Sequence, residues 1–274
     1  MKYNRKDFAD IILSKLEKEE DSLQKQFNES KDKIGYFFID DLLPLEMAKF
    51  IYECFPKPEE TTMKRTLREF KFIAAQMDKY DPVLEEIIFA FQDDRIVKLV
   101  GKICGIQKPL PDSNLYAGGI SMMGFENYLN PHLDNSHDKD RNLWRVLNLL
   151  YYVTPNWDIE NGGNLEIWPN GIKESQIVIH SKFNRLAVMA THQGSWHSVS
   201  PVVHQGIRCC VSNYYFSEQA LLPSDTFHIT SFRGRPEQKF IDLILRLDNS
   251  LRSSIRKIFK KGIVENTHLY KKDN

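Results

Sequence analysis

Between Leu115 and Ser217 the chain is cut into short segments, "LYAGGISMMGFENYL", "RVLNLLYYV", "GGNLEIW", "SQIVIH", "NRLAVMAT", "VSPVV" and "RCCVSNYYF". They are rich in β-branched and aromatic residues and are separated by Gly, Asn, Pro and Asp. Strands this closely spaced leave no room for the helices that alternating β/α units require, so the run predicts a sandwich or jelly roll.

Helical periodicity surrounds this run. Phe8, Ile12, Leu16, Leu23 and Phe27 recur at spacings of four and seven among charged residues, the pattern of an amphipathic helix that packs on the main domain or on a second copy of the chain, so a homodimer stays open. The stretch "GYFFIDDLLPLEMAKFIYECF" predicts a strand over Tyr36 to Ile39, a turn, and a helix opened by Pro44. Helical spacing covers Pro82 to Phe91 and continues to Gly105. It returns after Pro236 with Phe240, Leu243, Ile244, Leu247, Leu251, Ile255, Ile258 and Phe259 on the apolar face. The expected organisation is mainly β with flanking α-helices: an N-terminal helical extension over 1–34, a domain over 35–218 with helical support at 44–105 and a β core at about 115–217, and a C-terminal helical extension over 219–274.

Lys plus Arg equals Asp plus Glu at 37 each, so no global field draws the chain to nucleic acid, and none is expected as a partner. The opening residues "MKYNRKDFADIILSKLEKEE" lack the apolar stretch of a secretory signal. No run approaches the ~20 apolar residues of a membrane span. Four cysteines, Cys54, Cys104, Cys209 and Cys210, form no CxxC pair and suit buried thiols, which predicts a soluble cytoplasmic chain.

The stretch "NPHLDNSHDKD" holds two histidines and three aspartates. By itself it reads as a solvated turn. Within it, however, His132 and Asp134 are two residues apart, so on a strand both leave from one face and can reach one ion. A third ligand has to come from a distant strand, and His197 in "GSWHSVSPV" is the candidate, with His192, His204 and His180 as substitutes. His137 and Asp138 read as residues of the surface or of the layer just behind the metal ligands. Two His and one carboxylate leave open positions on a metal, the arrangement of non-haem iron oxygenases. Arg208 then stands inside the apolar strand "GIRCCVSNYYF", where a guanidinium needs an anion.

Taken in order, "HLDN", "RVLNLLYYVTPNWD", "GGNLEIWPNG", "FNRLAVMATHQGSWHSVSPV" and the arginine ahead of an aromatic strand end resemble the Fe(II)- and 2-oxoglutarate-dependent dioxygenases, in particular their prolyl 4-hydroxylase-like branch. The resemblance spans Tyr128 to Phe216. It implies a double-stranded β-helix (jelly-roll) core, iron held by His132, Asp134 and His197, and Arg208 clamping the far carboxylate of 2-oxoglutarate. It also implies support for that carboxylate from Tyr152 and Asn148, and Tyr128 in the cosubstrate pocket. Fe(II) is the implied metal, 2-oxoglutarate and O₂ the cosubstrates, and ascorbate a candidate reductant. Met122 stands where the oxygen-sensing members often place a cosubstrate tyrosine, and the gap from His197 to Arg208 is slightly longer than theirs. Asp134 speaks against halogenation, because family halogenases carry a small residue there to admit halide.

The implied activity is hydroxylation of an unactivated C–H bond. The substrate suggested first is peptidyl or free proline, and the alternative is a small molecule such as a sugar, an amino acid or a natural-product intermediate. Trp196, next to a ligand, is a candidate for the mouth of the substrate pocket, whereas Trp157 and Trp168 read as packing. The basic stretches "FRGRP" and "RSSIRKIFKKG" read as the solvated side of a C-terminal helix, with an anionic substrate or a membrane surface as the other reading. Readings of another class are a cupin-like isomerase or ligand-binding protein, in which Arg208 is incidental, and a silent scaffold that docks through its terminal helices.

Overall fold

Period-two alternation organises the β-rich run in the computed structural model, which describes residues 2–258 and 269–271. In chain order the elements are α1 (Arg5–Lys18), α2 (Glu20–Ser30), β1 (Tyr36–Ile39), α3 (Leu45–Glu53), β2 (Thr62–Arg65), β3 (Glu69–Ala74), α4 (Pro82–Ala90), α5 (Asp94–Ile103), β4 (Leu110–Pro111), β5 (Gly119–Met123), β6 (Tyr128–Leu133), β7 (Trp144–Tyr152), β8 (Leu165–Ile167), β9 (Ile177–Ile179), β10 (Arg185–Ala190), β11 (His197–Val199), β12 (Arg208–Ser217), β13 (Ser231–Phe232) and α6 (Lys239–Ile258).

The strands form one antiparallel sheet in the order β1-β10-β7-β12-β5-β3-β6-β11-β8-β9, with β2 on β3, β4 on β12 and β13 on β6. The sheet curls into a jelly roll, so that β5, β7 and β12 face β6, β8 and β11 across one cavity. On β7, Leu147, Leu149 and Tyr151 join the hydrophobic core beneath the helices, while Asn148, Leu150 and Tyr152 line the cavity. One strand thus serves packing with one face and chemistry with the other.

The N-terminal pattern resolves into two helices that part at Glu19, α1 being capped by Asn4 and Asp7 in a reciprocal capping box. Phe8, Ile12 and Leu16, together with Leu23 and Phe27 of α2, enter the same core as α4, α5 and the strands. Their apolar face is therefore satisfied in cis. The predicted helical support is corrected between Thr62 and Ala74: β2 and β3 make a hairpin there, and β3 bridges β5 and β6. "LYAGGISMMGFENYL" divides into β5 and β6 at a turn closed by Gly124 N–H donating to Asn127 Oδ1 at 3.0 Å. Among the described residues no helix is long and apolar enough to cross a membrane.

Candidate metal and cosubstrate site

His132 lies near the end of β6, Asp134 follows that strand, and His197 opens β11 directly across from His132 in register. The His132 Nε2 is 3.7 Å from Asp134 Oδ1, the His197 Nε2 is 3.7 Å from Asp134 Oδ2, and all three ligand atoms fall within 4.8 Å of one another. Each Nδ1 sits 3.0 Å from the backbone carbonyl two residues earlier, at Asn130 and Ser195. An Nδ1–H donated to those carbonyls leaves each Nε2 as a bare lone pair turned toward the carboxylate, the tautomer a metal ligand requires. Burial, with His197 alongside, pushes the His132 imidazole down to about 3, so it stays neutral. Burial works to raise the Asp134 carboxyl, yet the group is held below its ordinary value; with the imidazoles neutral, the charges that do this are those of Arg145 and Lys71. Two neutral nitrogens and one carboxylate are the donor set that suits Fe(II) with open positions.

On the β12 side Arg208 is buried and lines the same cavity. Its neighbours are neutral: the Met123 sulfur at 2.8 Å, the Cys210 thiol, and the Tyr152 ring with its centroid 5.5 Å away. No carboxylate among the described residues pairs with it, and its Nε has no hydrogen-bond partner. A permanently charged group buried in this way fits an anion from outside the chain. Space for the guanidinium comes from the two glycines of "GGNLEIW". At Gly162 (φ +75°) a Cβ would stand 2.0 Å from the Pro201 carbonyl oxygen, and at Gly163 (φ +67°) it would meet Val202 at 3.1 Å and Arg208 Nε at 3.4 Å. Asn148, midway along β7, offers its Nδ2 to Asp134 Oδ2 at 3.5 Å, and its Oδ1 has no partner among the described residues.

Two predicted residues fall outside the cavity lining. Tyr128 donates its hydroxyl to the Thr66 carbonyl at 2.9 Å. Opposite β11, β6 carries one extra residue between His132 and Leu129, and this bulge puts Leu129 rather than Tyr128 on the cavity face. Trp196 precedes an inward-facing histidine and so faces the other way, half-buried, with its carbonyl accepting from Trp168 N–H. Met122 likewise belongs to the core, and its neighbours Ser121 and Met123 line the cavity.

Of the two readings for His137, surface or the layer behind the ligands, the structure agrees with the second, since it is buried and lines the cavity, whereas Asp138 closes a turn by accepting from Asn142 and Leu143 N–H. The substitute ligands are engaged elsewhere: His180 at the Trp157 carbonyl, His192 at Gly194 N–H, and His204 exposed against the Trp157 edge. Trp157 and Trp168 are packing residues whose indoles donate to Gly162 and Ser198. Of the basic C-terminal residues, Arg233 pairs with Asp242, Arg235 with Glu166, and Arg252 reaches the cavity; the side chains of Arg256, Lys257, Lys260 and Lys261, and Ile258 and Phe259 with them, lie outside the described residues.

Arg145 was not read from the sequence. A second bulge, where β7 spends two residues against one step of β12, turns its side chain onto the cavity face. Its guanidinium lies 3.9 Å from Asp134 Oδ1 and stacks over the Tyr214 ring at 3.9 Å.

The cavity that gathers these groups has a volume of about 660 Å³. Residues 118–216, which include the triad, the glycine pair and Arg208, match the family model of the 2OG-Fe(II) oxygenase superfamily. This segment belongs to the 2OG-Fe(II) oxygenase superfamily. A prolyl-4-hydroxylase from Pseudomonas putida shares the oxygenase fold at 16% identity and a TM-score of 0.52, covering 72% of this chain and 100% of its own. Prolyl 4-hydroxylase from Phytophthora capsici gives 16% identity and a TM-score of 0.56 over 92% of this chain and 80% of its own. SnoN, a non-heme alpha ketoglutarate dependent epimerase from nogalamycin biosynthesis, gives 12% and 0.50 over 81% and 88%. No curated protein matches the chain. The family matched by this segment is one of oxygenases that use Fe(II) and 2-oxoglutarate, and the donor set at His132, Asp134 and His197 fits such a metal.

Proposed function

We propose that this oxygenase hydroxylates an unactivated C–H bond, with His132, Asp134 and His197 holding the iron and Arg208 holding the far carboxylate of 2-oxoglutarate. The observation that carries the assignment is the convergence of two bare Nε2 atoms and a carboxylate in one cavity with a buried arginine that has no acidic partner among the described residues. When bound, iron and 2-oxoglutarate supply oxidative decarboxylation by O₂ to succinate and CO₂ together with oxidation of the substrate C–H bond. The chain's own contribution is position. The carbonyls of Asn130 and Ser195 fix both imidazoles, Arg145 and Asn148 orient Asp134, and Leu150, Leu165 and Val199 give the cavity wall an apolar face that limits water. The Tyr152 ring, its centroid 5.5 Å from the Arg208 guanidinium carbon, forms part of the wall beside that group.

Anaerobic addition of Fe(II) and 2-oxoglutarate should produce a visible charge-transfer band. Asp134→Ala and His197→Ala should abolish it, and Arg208→Ala should weaken 2-oxoglutarate binding while iron is retained. Full turnover in all three variants would refute the assignment. Succinate release with a gain of one oxygen in the substrate marks hydroxylation; succinate release with no gain in mass marks epimerisation, the activity named for SnoN. By resemblance to the prolyl hydroxylases the first substrates to try are peptidyl and free proline, with ascorbate as reductant. Four free thiols, three of them buried, support placement in the reducing cytoplasm.

A further inference from the structure

The hairpin of β2 and β3 places Lys64 directly across from Lys71 in register, and both side chains line the cavity. Like charges facing each other across an antiparallel pair are destabilising, so the pair calls for a reason outside the hairpin. Lys71 reaches Glu69 Oε2 at 3.0 Å, whereas Lys64 has no acidic partner among the described residues. Arg68, in the turn of the hairpin, and Arg252, on α6, add two guanidinium groups to the same rim and share one carboxylate, Asp248, at 2.6 and 2.9 Å. Arg68 and Arg252 thus engage Asp248, while the two facing lysines have one acid, Glu69, between them among the described residues. Lys71 lies deepest, close enough for its charge to act on both His132 and Asp134.

We infer that the substrate is a small molecule bearing a carboxylate close to the carbon that reacts, bound through that anion by Lys71 and Lys64 with Arg68 and Arg252 beyond them. The inference rests on the iron and 2-oxoglutarate reading above, which supplies the reacting centre. An anion at this rim removes the repulsion between the lysines, and a pocket of about 660 Å³ is of the size that encloses small ligands. A proline ring within a peptide presents neutral amides at the same place and leaves Lys64 without an acidic partner among the described residues.

The test uses the full chain under anaerobic conditions with Mn(II) and 2-oxoglutarate, and affinity selection read by mass spectrometry. The probes are matched sets of carboxylic acids, their primary amides and their phosphate analogues, with L-proline, L-prolinamide and an N-acetylated prolinamide among them. Acids should be retained at least tenfold over their amides, and the preference should fall at least tenfold in the Lys64→Glu, Lys71→Met double variant. Lys64→Glu alone turns a like-charge pair into an attractive one, so its melting temperature should hold or rise while acid retention drops, which separates lost recognition from lost folding. Stronger retention of the phosphates would keep the anion site but reassign its source. Equal retention of amides, undiminished acids in the double variant, or no retained probe would overturn the inference. Failure of wild type to retain 2-oxoglutarate would instead strike the reading of the metal site, which this arm reports separately.

Discussion

At Gly163 the backbone comes close to Arg208, the residue proposed to hold 2-oxoglutarate. With φ at +67°, Gly163→Ala strains the backbone, and the added methyl would crowd Val202 at 3.1 Å and touch the Arg208 Nε at 3.4 Å, so relief of the strain shifts the guanidinium's surroundings. The expected result is a 2-oxoglutarate dissociation constant raised about 10-fold, which corresponds to the roughly 1–2 kcal/mol of one disturbed hydrogen bond to a charged group. Titrating the charge-transfer band with 2-oxoglutarate measures it. Arg208→Lys should cost about 10–100-fold by the same titration, because an ammonium keeps the charge but loses the planar fork that matches a carboxylate. Affinity at the wild-type level in Arg208→Lys would mean that the fork is not what holds the cosubstrate.

At the scale of elements, α1 belongs to the core: Ile12 is wholly buried in a cluster shared with α4, α5 and β7. Ile12→Ala should lower stability by about 2–5 kcal/mol through lost transfer energy and a residual cavity, read as a lower urea midpoint in a single transition. An unchanged midpoint would mean that α1 unfolds apart from the rest. The strands from β5 to β12 were legible because apolar runs between turn residues survive in any register, and His132 with Asp134 was legible because a spacing of two defines a strand face without knowledge of neighbours. The hairpin of β2 and β3 was not legible. Glu69, Lys71 and Ile73 alternate with Phe70, Phe72 and Ala74, but the charged face looks into a polar cavity and so reads as loop. Two bulges set faces that simple period-two alternation would reverse, since one extra residue flips every face beyond it. That reversal removed Tyr128 from the pocket and brought Arg145 into it.

At the scale of the whole molecule, the two cavity layers carry a buried charge, Arg208, that no acid among the described residues pairs. His132 on β6, His197 on β11 and Arg208 on β12 sit on opposing strands, so metal and 2-oxoglutarate would tie the layers together. A ligand at 100 times its dissociation constant adds about 2.7 kcal/mol to stability, and for a chain of this size each kcal/mol moves the melting temperature by roughly 2–4 °C. Mn(II) with 2-oxoglutarate should therefore raise the melting temperature by about 5–10 °C, and Asp134→Ala should abolish the rise. Arg208→Met separates stability from function. Replacing a buried guanidinium that lacks an acidic partner by an apolar side chain of similar length removes an uncompensated charge, so the ligand-free protein should melt at the same temperature or higher. The increment from 2-oxoglutarate should vanish in the same variant while that from Mn(II) persists. Calorimetry of the four states decides it: a large drop in the ligand-free melting temperature of Arg208→Met would reveal that the guanidinium stabilises the fold itself, and its burial would then no longer argue for a bound anion.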